Sequence, residues 1–230
     1  MPPPARQGSA RAVCPTDNSV KPNSVARKIA AGLLALLSAS VATIFYANAL
    51  RVGKVIDRYR DVPVYDNGLL FFRSHGKNYS EDGYYYGQKW QCVEFVKRFY
   101  RHAKSHAMPD VWGHAKSFFD ESLPDGAFNP RRGLAQYRNG SMNGPRPDDL
   151  IVFTDTRYGH VAIVTQVSSN FLEVIQQNIL AGPRQRYSLV VSNAHYFVTT
   201  PRRPAGWLRM SPSATTRTPA TNRTPHSAPD

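Results

Sequence analysis

The chain has 230 residues, with 29 Lys and Arg against 16 Asp and Glu, a formal net charge of +13, and two cysteines. That length holds one ordinary domain with extensions, and the composition is neither fibrous nor disordered throughout. The basic balance favours an anionic partner or surface, yet zinc-finger, RNP and P-loop patterns are missing, so specific nucleic-acid recognition is not expected. No CxxC pair, HExxH helix or DxDxDG loop occurs and the seven histidines are scattered, so neither a metal nor another cofactor is expected.

In chain order, residues 1–28 form a polar head carrying Arg6, Arg11, Lys21, Arg27 and Lys28. Cys14 lies in this aperiodic head, so a disulfide with Cys92 is not expected. Residues 29–50 follow without a single charge, and at 1.5 Å per residue they reach about 33 Å, enough for a hydrocarbon core of about 30 Å. Ala47-Asn48-Ala49 resembles a signal-peptidase site, whereas the long basic head and the length of the run favour an uncleaved signal-anchor; a buried core helix is the third reading. Arg51, Lys54, Arg58 and Arg60 follow the segment closely, so the charge bias orients it weakly, with the head inside and the domain outside the cytoplasm. A membrane-anchored or exported protein is expected, its domain in the periplasm or at the cell surface.

A single domain without internal repeats is expected over 54–210, followed by a Pro/Thr-rich tail at 211–230 that has too little apolar surface to fold. Within the domain, Leu69 to Phe72 reads as a short strand and a Gly-, Tyr- and Asn-rich loop runs to Gly87. Cys92 then opens an amphipathic helix in which Val93, Val96, Phe99 and Tyr100, with Cys92 and Phe95, form the apolar side. Glu94, Lys97, Arg98 and Arg101 take the wet side. A second helix is expected from His114 to Ser122, stopped by Pro124-Asp125-Gly126. After a loop at 139–148, strands are expected at 150–154, 160–167, 171–176, 187–191, 196–199 and 206–210. Helix first and antiparallel strands after define an α+β fold.

The chemistry-bearing residues are few. Cys92 sits at a helix start, where the first-turn N–H groups favour a thiolate and raise its nucleophilicity. His160 heads an apolar strand in Gly159-His160-Val161-Ala162-Ile163. The short polar link Ser168-Ser169-Asn170 folds the next strand back as a hairpin, which brings residues 176–178 opposite His160. Strand alternation puts Gln176 and Asn178 on one face, so either can meet the imidazole. His160 would then take the Cys92 proton, the thiolate would attack an amide carbonyl, and the imidazolium would protonate the leaving amine. The Cys92 backbone N–H and the Gln91 side chain are the candidate oxyanion donors. Each piece has a plainer reading, since single cysteines and histidines often serve only as core residues. Trp90, Trp207 and Tyr84-Tyr85-Tyr86 are most simply packing residues, although rings near a cleft can bind a flat or sugar-like group.

The run Gln88-Lys89-Trp90-Gln91-Cys92-Val93-Glu94-Phe95 with Arg98, then Gly159-His160-Val161-Ala162-Ile163 with Thr165-Gln166, then Gln177-Asn178 and finally Gly206-Trp207, resembles the CHAP family of cysteine, histidine-dependent amidohydrolases and peptidases. Within that family the likeness is to the glutathionylspermidine amidase branch, over roughly residues 60–210. The resemblance implies a papain-like α+β fold with the Cys on a helix and the His on an antiparallel sheet, Cys92 as nucleophile and His160 as base. It also puts Gln176 where the branch has a glutamate to orient the imidazole, and Lys97 where it has a basic residue that helps hold the glutathione moiety. A solvated helix charge is the equal alternative for Lys97. No ATP-binding synthetase half follows, so ligase activity is not expected. Three functions are weighed: an amidase or peptidase acting on cell-wall peptidoglycan peptides, which leads; a glutathionylspermidine-type amidase for γ-glutamyl or polyamine amides; and a catalytically silent papain-like binding module.

Overall fold

The computed structural model describes residues 23–70 and 73–211. The polar head to residue 22 with Cys14, residues 71–72 of the expected first strand, and the tail from 212 lie outside the described residues. The chain divides into two units, Met1–Tyr46 and Ala47–Asp230. The described part of the first is helix α1 (Ser24–Arg51), whose last residues belong to the second. Asn23 opens the helix, its Oδ1 accepting from the Val25 N–H at 2.8 Å. Along it the Ser38, Ser40 and Thr43 hydroxyls donate to the carbonyls of Leu34, Leu36 and Ala39, so these polar groups are satisfied within the helix itself. By length and composition it is the one helix among the described residues able to cross a membrane.

The second unit starts with two antiparallel ribbons, β1 (Val55–Tyr59) with β2 (Val62–Tyr65) and β3 (Lys77–Tyr79) with β4 (Tyr85–Gln88). Helix α2 (Cys92–Lys104) comes next and ends where Ser105 takes a left-handed conformation. An eight-stranded sheet follows, built from β5 (Phe128–Asn129), β6 (Leu134–Arg138), β7 (Leu150–Phe153), β8 (His160–Val167), β9 (Phe171–Ile175), β10 (Arg184–Ser192), β11 (His195–Thr199) and β12 (Pro204–Arg209). Its spatial order is β11-β10-β9-β8-β7-β12-β6-β5, and every pairing is antiparallel. The architecture is therefore α+β, as the element order implied.

Packing explains which strands read clearly. Leu150 and Val152 of β7, with Val161 and Ile163 of β8, face Phe95, Val96, Phe99 and Tyr100 of α2 in one cluster. Ile151, Phe153, Ala162 and Val164 face the other way, into a cluster completed by Leu172, Val174, Tyr187, Leu189, Val198 and Trp207. Strands buried on both faces have to be apolar without interruption. Phe95, Val96 and Phe99, all fully buried, each contribute about 1.5–3 kcal/mol by leaving water.

Two local expectations are corrected. The charged side of α2 is not wet: Glu94, Lys97 and Arg98 are 0%, 1% and 6% exposed. The ribbons lie over it, and Glu94 accepts from Arg98 Nε at 2.6 Å, Asn78 Nδ2 at 2.8 Å and Gln177 Nε2 at 2.7 Å. The expected helix at 114–122 is only a 3₁₀ turn, Ala115–Phe118. The buried Arg132 guanidinium takes the carbonyls of Asp110 at 2.8 Å and Ser117 at 3.1 Å, which holds this stretch as a loop.

Candidate active site

Cys92 is the first residue of α2, after Gln91 in extended conformation. At a helix start the leading N–H groups have no acceptor within the helix and point outward. Gly87 allows β4 to pass close by, because a Cβ there would come within 3.1 Å of the Glu94 backbone. His160 opens β8 after Gly159, whose φ is +70°. A Cβ on Gly159 would meet the Phe153 carbonyl at 2.6 Å and the Lys116 N–H at 2.7 Å, so a glycine is required immediately before the histidine. Cys92 and His160 line one cleft of about 820 Å³.

The expected hairpin pairs Ile163 with Ile175 and sets Gln176 beside His160. Gln176 Oε1 lies 3.0 Å from His160 Nε2. The other end of the Gln176 amide donates to Gln185 Oε1 at 3.2 Å, and the Tyr187 hydroxyl donates to the same oxygen at 2.9 Å. This relay fixes the Gln176 oxygen towards the ring, so Nε2 carries the imidazole proton and Nδ1 is the basic nitrogen. Of the two candidates on that face, Gln176 takes the imidazole. Asn178 has φ +63°, donates to Gln91 Oε1 and accepts from Asn67 Nδ2 at 2.8 Å.

Gln91 and Asn178 both line the cleft. Gln91 Nε2 donates to the Arg73 carbonyl at 2.9 Å, which anchors the residue preceding the thiol. Between them Gln177 ties the site to the ribbons, donating to the Gln91 carbonyl at 3.2 Å and accepting from the Tyr65 N–H at 2.8 Å. Lys97 is arranged differently from both sequence expectations. It is neither solvated nor among the residues lining the cleft. Its ammonium donates to the carbonyls of Tyr85 and, at 2.9 Å, Val111, and burial lowers its pKa to about 8.

Electrostatics correct the expectation of an activated thiolate. Burial pushes the Cys92 thiol up, and the N–H groups of Val161 and Val93 with the nearby Arg202 charge pull it down by less. Burial likewise lowers His160 to about 4, and the Arg202 charge adds to that. The resting pair is therefore neutral thiol and neutral imidazole near pH 7.

Sequence reasoning missed Gln185, Tyr187 and Arg202. The first two were legible as alternation in Arg184-Gln185-Arg186-Tyr187, which turns Gln185 and Tyr187 to one face of β10. Arg202 lies between β11 and β12 and carried no sequence signal. Among the described residues no cluster of His, Cys, Asp and Glu could hold a metal ion.

Residues 83–178, from just before β4 to Asn178, match the family model for the CHAP domain. The chain is 31% identical over 149 residues to the bifunctional glutathionylspermidine synthetase/amidase of Escherichia coli (strain K12), covering 59% of this chain and 23% of that relative. It is also 31% identical over 120 residues to trypanothione synthetase of Crithidia fasciculata, covering 51% of this chain and 18% of the relative. Glutathionylspermidine synthase of the same organism matches at 34% over 101 residues, 40% of this chain and 14% of the relative. The chain thus spans less than a quarter of the length of the curated relatives it matches.

Proposed function

We propose that this chain is a papain-like cysteine amidohydrolase in which Cys92 is the nucleophile, His160 the base and Gln176 the residue that orients it. The observation that carries the reading is the shared cleft: the thiol and imidazole both line it, and Gln176 commits Nε2 of the ring so that Nδ1 remains for the thiol. His160 Nδ1 takes the Sγ proton as sulfur attacks the amide carbon. The tetrahedral oxyanion forms at the first turn of α2, where the Cys92 N–H is one donor; Gln91 becomes the second only by turning its Nε2 from the Arg73 carbonyl. The imidazolium then protonates the departing amine, and water, deprotonated by His160, releases the acid from the thioester. Because the resting pair is neutral, charge separation occurs only as the substrate fills the cleft. No cofactor takes part in this scheme.

The leading substrates are amides of cell-wall peptidoglycan peptides, with the domain tethered outside the cytoplasm by α1. What supports this is the apolar helix together with the basic composition. The second reading, a glutathionylspermidine-type amidase, is supported by the printed name of the E. coli relative. The test is to incubate the full-length protein in detergent, and its Cys92→Ala variant, with purified peptidoglycan and separately with glutathionylspermidine, and to identify products by mass spectrometry. Cys92-dependent muropeptide fragments support the first reading, and release of glutathione and spermidine the second. Inertness towards both, with Cys92 unreactive to iodoacetamide, would sink the enzyme reading in favour of a silent binding module.

A further inference from the structure

Arg202 is the one arginine or lysine lining the cleft, and no carboxylate lines it among the described residues. Its guanidinium lies 5.0 Å from the centre of the Phe153 ring, and the same ring lies 6.2 Å from that of His160. Asp155 presets the guanidinium: its oxygens accept from Nε at 3.2 and 3.4 Å and from Nη2 at 3.1 Å. That pairing does not use Nη1, and a guanidinium fork can serve two carboxylates on two edges. The side chain is 21% exposed, enough to be reached from the cleft. The remaining wall is largely apolar, with Val93, Val111 and Ile179 inside and two side chains left in water at the mouth, Tyr158 at 58% and Leu180 at 72% exposure. Arg202 lies outside the 83–178 segment that the family model matches.

We propose that Arg202 is a specificity-determining residue: its guanidinium takes a carboxylate on the substrate while Tyr158 and Leu180 take an apolar group, so the cleft selects amides of anionic, partly apolar chains and disfavours polyamine amides. This rests on the amidohydrolase reading of the same cleft. A polycationic leaving group would meet Arg202 with no acid to receive it, and like charge in a partly desolvated cleft is repulsive. The substrate-holding role that the resemblance implied for Lys97 thus passes to a residue on a different element.

The test reads charge preference at the thiol without needing turnover. The full-length protein in detergent is alkylated with iodoacetate, iodoacetamide or 2-bromoethylamine, and modification of Cys92 is followed by peptide mass spectrometry against a small free thiol in the same solution. Iodoacetate should be favoured over bromoethylamine by about tenfold more at Cys92 than at the free thiol. Arg202→Met should erase most of that preference, and Asp155→Asn, which frees the guanidinium, should increase it. N-hexyl iodoacetamide should outpace iodoacetamide by about fivefold, with Leu180→Ser losing the gain. An unchanged preference in a folded Arg202→Met protein, or a reduced one in Asp155→Asn, overturns the proposal. Charge-selective labelling without amide turnover would count against the amidohydrolase and leave Arg202 standing, whereas turnover with labelling indifferent to Arg202 would do the reverse.

Discussion

At the scale of single residues the dyad is governed by desolvation. A buried imidazole at about 4 stays unprotonated, and so able to act as base, well below its ordinary 6.5. A thiol held up by burial keeps its proton further into alkaline pH. The reactive form carries one proton on the pair, so kcat/KM for amide cleavage should rise through about pH 4 and fall only above the usual thiol range. An acid limb at the free-histidine value would contradict this. Stability has to be followed alongside by fluorescence. The imidazole pKa is depressed on folding, so its contribution is complete above about 6.5 and is lost as pH falls towards about 4. Gln176 supplies a neutral acceptor where a carboxylate would hold the imidazolium. Gln176→Glu should therefore move the acid limb upward and raise kcat by about two- to tenfold, read from pH profiles of the two proteins. A dead but folded variant would remove Gln176 from the orienting role.

At the scale of elements, α2 shows why charge pattern misleads. Glu94, Lys97 and Arg98 have the spacing of a solvated face, yet the ribbons bury all three. Arg98 also donates to the Pro63 carbonyl at 2.7 Å and lies 4.8 Å from the centre of the Tyr65 ring. Removing one partner strands the other charge, so Glu94→Ala should cost about 3–5 kcal/mol in denaturant unfolding, and a Glu94→Leu, Arg98→Met double variant should recover part of it. The site helix and the histidine strand were legible because their apolar periodicity reflects burial; β8 lies where the sequence put it, at His160–Val167. The early ribbons were not. β1 reads Val-Ile-Asp-Arg-Tyr with no clean alternation, β2 carries Pro63, and they turn at Arg60 and Asp61, both at positive φ without the glycine that marks such hairpins. Gly206 shows the opposite case, a motif glycine whose reason lies in packing. A Cβ there would run into the Tyr137 carbonyl of the neighbouring strand, so Gly206→Ala should lower Tm by several degrees, about 1–3 kcal/mol in stability.

At the scale of the whole molecule, the compact second unit starts at Ala47. Asn48 is buried there and its Oδ1 accepts from the Leu69 N–H at 2.6 Å, while the Asp66 N–H donates to the Lys54 carbonyl at 2.8 Å and the Gly53 N–H to the Asp66 carbonyl at 2.9 Å. A fragment starting at Ala47 should therefore unfold at a higher temperature than one starting at Lys54, by about 1–3 kcal/mol for the orphaned N–H, measured by thermal melts. The sequence by itself determined the α+β class, the cysteine at a helix start, the histidine at the head of a strand and the apolar N-terminal segment. Those features are written in local periodicity and in motifs that one element imposes on its own residues. Only the tertiary structure decided that Gln176 rather than Asn178 meets the imidazole, that Lys97 is a buried clamp, that Arg202 reaches the cleft and that the resting thiol is protonated. Each of these depends on which distant elements exclude water from a group, and burial of a polar side chain by a partner far along the chain leaves no period to read.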